Sequence, residues 1–265
     1  MNIKCNLYPG GRTKALTMSY DDGNIADRKL VELFNKFGIK GTFHLNSGSF
    51  GRGETIREEE VNELFSGHEI SVHTVTHPFL QNLPFEKIIE EIMGDRKKLE
   101  EISKYVVTGM SYPFGTYNDD VLKILPMLGI EYSRTVNSHG NFSIPENFLT
   151  WHPTCHHNGN IKELGQKLID SNYKNLSLLY VWGHSYEFNR QDNWHIIEEF
   201  CEMMANKEDI WYSTNIEICH YIKAMKCLQF SADMKMVSNP SALPVWISVD
   251  DMPVEIPSGS YNMQI

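Results

Sequence analysis

Thr17-Met18-Ser19-Tyr20-Asp21-Asp22-Gly23 closes an apolar run that begins at Ala15 and ends in two adjacent carboxylates and a glycine. The run from Lys14 to Tyr20 predicts a buried strand with both aspartates at its C-terminal end, where parallel α/β architectures keep their chemistry. Adjacent residues at a strand end point in different directions, so one carboxylate can bind a cation while its neighbour faces whatever the cation holds. Gly23 permits the sharp turn away. Asp-Asp-Gly alone also describes an ordinary turn, and only a second cluster turns it into a site.

That cluster is His73-Thr74-Val75-Thr76-His77-Pro78, which follows a second strand-like run, Glu69 to Val72. Thr, Val and Thr are poor helix formers and Pro78 pushes His77 out of the α region, so the two imidazoles belong on a loop leaving a strand. No glutamate follows His73, which excludes the H-E-x-x-H pattern of zinc proteases. A strand-end aspartate with two loop histidines makes a three-ligand set with open positions, the form in which catalytic metals are held. Asp22, His73 and His77 are therefore the expected ligands. Zn²⁺ suits them, and Co²⁺, Ni²⁺ and Mn²⁺ are compatible with the same donors. Asp21, beside a ligand, is left to take a proton from water.

With these residues in place the chain resembles the polysaccharide deacetylase (NodB homology) family, carbohydrate esterase family 4. The family's T-F-D-D-G is similar to Ser19-Tyr20-Asp21-Asp22-Gly23, and its H-[ST]-x-x-H is matched by His73-Thr74-Val75-Thr76-His77. Its R-x-P-[FY]-G is similar to Ser111-Tyr112-Pro113-Phe114-Gly115, with serine where the family has arginine. Its late strand with a catalytic histidine resembles Leu178 to His184. The resemblance implies a distorted, incomplete (β/α)7 barrel and metal-dependent removal of acetyl groups from an N-acetylated or O-acetylated carbohydrate. It further implies Asp21 as base, His184 as acid, and Tyr112, Pro113 and Phe114 at the oxyanion and substrate wall, with a backbone N–H near Phe114 joining the metal in holding the oxyanion. In the family the arginine orients the base, so Ser111 leaves that task unassigned. Two other readings stay open: cleavage of a non-sugar amide such as a cyclic imide, and a metal-bound glycan-binding protein without turnover.

The rest of the chain supplies the frame. Its 265 residues, 41% hydrophobic, suit one α/β domain with an appendage, divided as 1–227 and 228–265. Strand and helix patterns alternate for about seven units. The last forty residues change period and predict a hairpin, with Pro253 confining its second strand to an edge. A net charge of −10 disfavours nucleic acid and anionic membrane as partners and leaves a small carbohydrate or amide substrate. Five unevenly spaced cysteines do not form a disulfide framework, and no apolar leader is seen at Met1, so the expected location is cytoplasmic.

Between Asn137 and Gly159 the alternation breaks into a long loop rich in histidine, which predicts a functional segment. Trp151 within it suits a sugar platform or a buried anchor. Glu187, three residues after His184, is positioned to return its carboxylate to that imidazole and keep it protonated.

Overall fold

The strand expected at Lys14 is the axis of the sheet in the computed structural model, which describes residues 2–265. In chain order the strands are β1 (Ile3–Lys4), β2 (Lys14–Asp21), β3 (Gly41–Leu45), β4 (Glu69–Val72), β5 (Gly109–Ser111), β6 (Tyr132–Arg134), β7 (Cys155–His156), β8 (Ser177–Gly183) and β9 (Ile210–Tyr212). Eight of them form one parallel sheet ordered β6-β5-β4-β3-β2-β8-β7, with β9 paired to the first residues of β2. Every residue of β2 and β8 is buried, as continuous apolar runs in a two-sided parallel sheet require.

The connecting helices are α1 (Asp27–Phe37), α2 (Glu58–Leu64), α3 (Phe85–Ser103), α4 (Asp119–Met127), α5 (Ile161–Asp170), α6 (Tyr186–Arg190), α7 (Trp194–Met204) and α8 (Asn215–Lys226). Apolar stripes seat them: Leu30, Val31 and Phe34 of α1 and Ile88, Ile92 and Leu99 of α3 are buried in one core. Gly38 closes α1 in the left-handed conformation, and the Asn118 side chain caps α4 by accepting from Val121 N.

The distorted, incomplete barrel expected from the sequence is present. The segment read as a loop nevertheless holds a strand. Trp151 N donates to Ser133 O and Thr135 N to Trp151 O, while three residues later Thr154 N donates to Tyr180 O and His157 N to Trp182 O. Residues 151–157 thus begin against β6 and end against β8, bridging the two edges of the curled sheet. A segment this short, with Pro153 inside it, has no period-2 pattern to read, which is why its pairing was invisible in the sequence.

Trp151 is 1% exposed, packed edge-on against Tyr132, Phe148 and Tyr180. It is the buried anchor of that bridge and not a sugar platform, because a ring enclosed on all sides offers no face to a ligand.

Beyond α8 come β10 (Gln229–Phe230), β11 (Met236–Asn239), β12 (Val245–Val249), β13 (Met252–Ile256) and β14 (Ser260–Gln264). β12 and β13 make a hairpin whose turn residues Asp250 and Asp251 both have positive φ. The N-terminal β1 pairs with β12, so this unit is built from both ends of the chain, and β10-β11-β14 form a second small sheet beside it. No helix among the described residues is long and apolar enough to cross a membrane.

Candidate active site

The C-terminal ends of β2, β4, β5, β6 and β8 converge on one cleft of about 490 Å3, lined among others by Asp21, Asp22, His73, His77, Phe114 and His184. The structure brings together the residues that the sequence places at strand ends, and it does so with strain. Asp22 (φ 77), Thr74 (φ 69), His77 (φ 57) and Phe114 (φ 58) all take left-handed backbone conformations that cost non-glycine residues. Gly23 (φ 62) completes the turn after Asp22.

One oxygen of Asp22 and the Nε2 atoms of His73 and His77 lie within 4.8 Å of one another. Asp22 Oδ1 stands 3.6 Å from His73 Nε2 and 3.9 Å from His77 Nε2. Nδ1 of His73 donates to the Ser111 carbonyl at 2.9 Å, which places its proton away from the cleft and leaves Nε2 with a lone pair facing Asp22. Burial, with His73 beside it, pushes the His77 imidazole below its ordinary value and so toward the neutral form a ligand needs. These donors fit a divalent cation.

The loop that carries both histidines is held from α3. Asp95 accepts from His73 N at 2.9 Å and Ser47 N at 2.7 Å, and Glu91 accepts from Thr76 N and its hydroxyl at 2.8 and 2.6 Å. Asp95 falls on the same helix stripe as Ile88, Ile92 and Leu99, and a carboxylate on a buried stripe was the one available sign of this role.

Asp21 is 3% exposed and faces the guanidinium of Arg134, itself fully buried at the end of β6. The Arg134 Nη2 donates to Asp21 Oδ2, its Nη1 donates to Thr135 O at 3.1 Å, and its plane lies 4.6 Å over the Trp182 ring. Burial alone would raise the Asp21 carboxyl. Arg134, with His73, His44 and His184, holds it well below the usual carboxylate range. Ser111 adds a hydroxyl that donates to Asp21 Oδ1 at 3.2 Å. In the sheet Ser111 is the register partner of Arg134, so the arginine absent from the third motif stands one strand over at the same level. An arginine inside the buried run Ile130 to Val136 was its sequence sign.

His184 directs Nε2 toward the cleft, 3.9 Å from Asp22 Oδ2, and its Nδ1 donates to Glu187 Oε1 at 3.0 Å. Burial would lower this imidazole, yet Glu187, Asp21 and Asp22 together raise it above its ordinary value. A Cβ at position 183 would overlap the His157 ring, so only glycine lets the strand deliver His184 past that imidazole. Tyr186 stacks on His184 with centroids 5.1 Å apart, and Phe79 stacks on the half-exposed Phe114 at 3.8 Å. Tyr112 and Pro113 are buried beneath Phe114; Tyr112 still borders the cleft, while its hydroxyl donates to Leu149 O at 2.7 Å.

The polysaccharide deacetylase family matches residues 9–133, a little under half of the chain. By sequence and by fold the chain resembles the polysaccharide deacetylases. It is 30% identical over 115 residues to chitin deacetylase 1 of Cryptococcus neoformans, covering 43% of this chain and 24% of that one. It is 22% identical over 135 residues to the peptidoglycan-N-acetylglucosamine deacetylase PgdA of Listeria monocytogenes, covering 50% and 28%. The chain spans less than half the length of the curated relatives it matches. Among solved structures, a family 4 carbohydrate esterase from Streptomyces lividans in complex with acetate superposes with a TM-score of 0.52 at 13% identity, covering 76% and 93%. A family 4 pseudoenzyme of Bacillus anthracis does so with 0.52 at 15%, covering 80% and 66%. At such identities the likeness is one of fold.

Proposed function

We propose that this protein is a metal-dependent hydrolase that removes acetyl groups from an N-acetylated or O-acetylated carbohydrate. The observation that carries the reading is a single cleft holding a buried anionic carboxylate paired to arginine, a three-donor metal set beside it, and an imidazole raised by its own carboxylate. A structural ion-pair network has no need of open donors facing a cavity.

Asp22, His73 and His77 would hold the metal, which when bound polarises the acetyl carbonyl as a Lewis acid and favours ionisation of water. Asp21, kept ionised and oriented by Arg134 and Ser111, accepts the proton of the water that attacks the carbonyl carbon. A backbone N–H near Phe114, on the loop that borders the cleft, would stabilise the oxyanion of the tetrahedral intermediate. His184 gives its Nε2 proton to the departing nitrogen or oxygen as the C–N or C–O bond breaks, leaving acetate and the free amine or hydroxyl. Glu187 holds the His184 Nδ1 proton and so fixes which nitrogen points at the substrate.

Relatives named for chitin and peptidoglycan support a glycan of N-acetylhexosamine units, and the stacked Phe79 and Phe114 at the rim suit the apolar face of a sugar ring. The test is acetate release by the Zn²⁺-loaded protein from short N-acetylglucosamine oligomers, run beside ring opening of a cyclic imide. Acetate from the oligomers supports the reading; ring opening without acetate, or neither product, overturns it.

A further inference from the structure

Behind His184, away from Asp22, a second cluster uses residues of the bridging segment that the reaction above does not employ. His156 Nε2 lies 3.2 Å and His157 Nε2 3.0 Å from the same oxygen, Glu187 Oε2, and all three atoms fall within 4.8 Å of one another. Donors on a tetrahedral Zn²⁺ with bonds of about 2.0–2.2 Å stand roughly 3.3–3.6 Å apart, a few tenths of an ångström beyond the two carboxylate–imidazole distances here.

His157 is fully buried, and neither of its ring nitrogens makes a hydrogen bond of acceptable geometry despite the close approach of Glu187. A buried imidazole without a hydrogen bond is costly unless something completes it. Its ring is fixed by stacking between Tyr20 and Phe188, with centroids at 5.7 and 4.2 Å and interplanar angles of 14° and 27°.

We propose that His156, His157 and Glu187 form a second divalent-cation site, of two imidazoles and one carboxylate, that takes Zn²⁺ or a similar borderline ion. The half-exposed His156 gives the ion its route in. The Asn158 N–H reaches His156 Nδ1 at 3.2 Å; with an ion on Nε2, the His156 proton would move to Nδ1 and that long contact would be given up. Glu187 then bridges the ion through Oε2 and His184 through Oε1, which ties occupancy of this site to the imidazole at the cleft. Glu187 is the one residue that this site shares with the reaction proposed for the cleft.

Protein stripped with chelator and titrated with Zn²⁺ or Co²⁺ tests it, with bound metal counted per chain and folding followed by circular dichroism. The wild type is expected to bind two ions, His77→Ala one, His156→Gln one, and the His77→Ala/His156→Gln double variant none. The Co²⁺ visible absorption of His77→Ala should vanish in the double variant, and Glu187→Gln provides a second route to the same loss. One ion in the wild type, none in folded His77→Ala, or a second ion that survives both His156→Gln and Glu187→Gln would overturn the proposal.

Discussion

Replacing Arg134 by methionine removes the guanidinium and keeps most of its aliphatic stem, so packing against Trp182 is largely preserved while Asp21 loses its partner. Arg134 is fully buried and Asp21 3% exposed, and breaking a buried pair from one side costs about 3–5 kcal/mol because the remaining charge cannot be solvated. At roughly 2–4 °C per kcal/mol for a chain of this size, the melting temperature should fall by about 10 °C. The sign of the pH effect follows from Asp21. Its depressed carboxyl stabilises the wild-type fold above the usual carboxylate range, and that contribution is lost on acidification. Without Arg134, burial raises the group, so its contribution is present in acid and lost as pH rises. The gap between wild type and variant should therefore be widest near neutrality and close in acid. Turnover, read as acetate release, should drop by about 10²- to 10⁴-fold, since a base that is misoriented and partly protonated cannot accept the water proton. Because Ser111 and Arg134 are register partners, the exchange Ser111→Arg with Arg134→Ser should recover part of that loss. Turnover within about twofold of wild type in Arg134→Met, at an unchanged melting temperature, would refute the assignment of Arg134 to Asp21.

Three further outcomes follow from named contacts. Asp21→Asn should keep its metal and lose about 10²- to 10⁴-fold in turnover; loss of the metal instead would mean that Asp21 is a ligand. Glu69 is raised to about 7 by burial despite accepting from Tyr132, Thr42 and Ile216, so its stabilising proton is fully held below about pH 4.5 and lost as pH rises through 7. Denaturant melts should show wild-type stability falling by up to about 3 kcal/mol across that window and Glu69→Gln lacking the slope; parallel curves would remove Glu69 as the cause. Phe79→Ala should raise KM for acetylated oligomers by about 3- to 10-fold and leave a small acetyl ester unaffected, whereas equal effects on both would mean that Phe79 only supports the loop.

The parts of this molecule that the sequence discloses are those whose physics is local. β2 and β8 are long apolar runs, α3 carries a clear 3.6 period from Phe85 to Ser103, and the pairs Asp21-Asp22 and His73/His77 sit at the ends of such elements. Glu187 was reachable because it is three residues from His184 and returns within a single turn of α6. What stayed hidden depends on pairings distant in the chain. Arg134 reaches Asp21 across 113 residues, Asp95 reaches His73 from another element, and residues 151–157 join β6 through one bridge and β8 through a two-residue strand that no periodicity marks. The N-terminal β1 likewise has meaning only beside β12, some 240 residues later.

If one cleft both holds the metal and hydrolyses the acetyl group, bound metal and acetate release measured on the same samples of wild type and His77→Ala should fall together. The wild type is expected to release acetate from N-acetylglucosamine oligomers, and His77→Ala to lose the Asp22–His73–His77 ion together with essentially all turnover. Acetate release by His77→Ala at the wild-type rate, or a metal-loaded wild type that releases none, would contradict it.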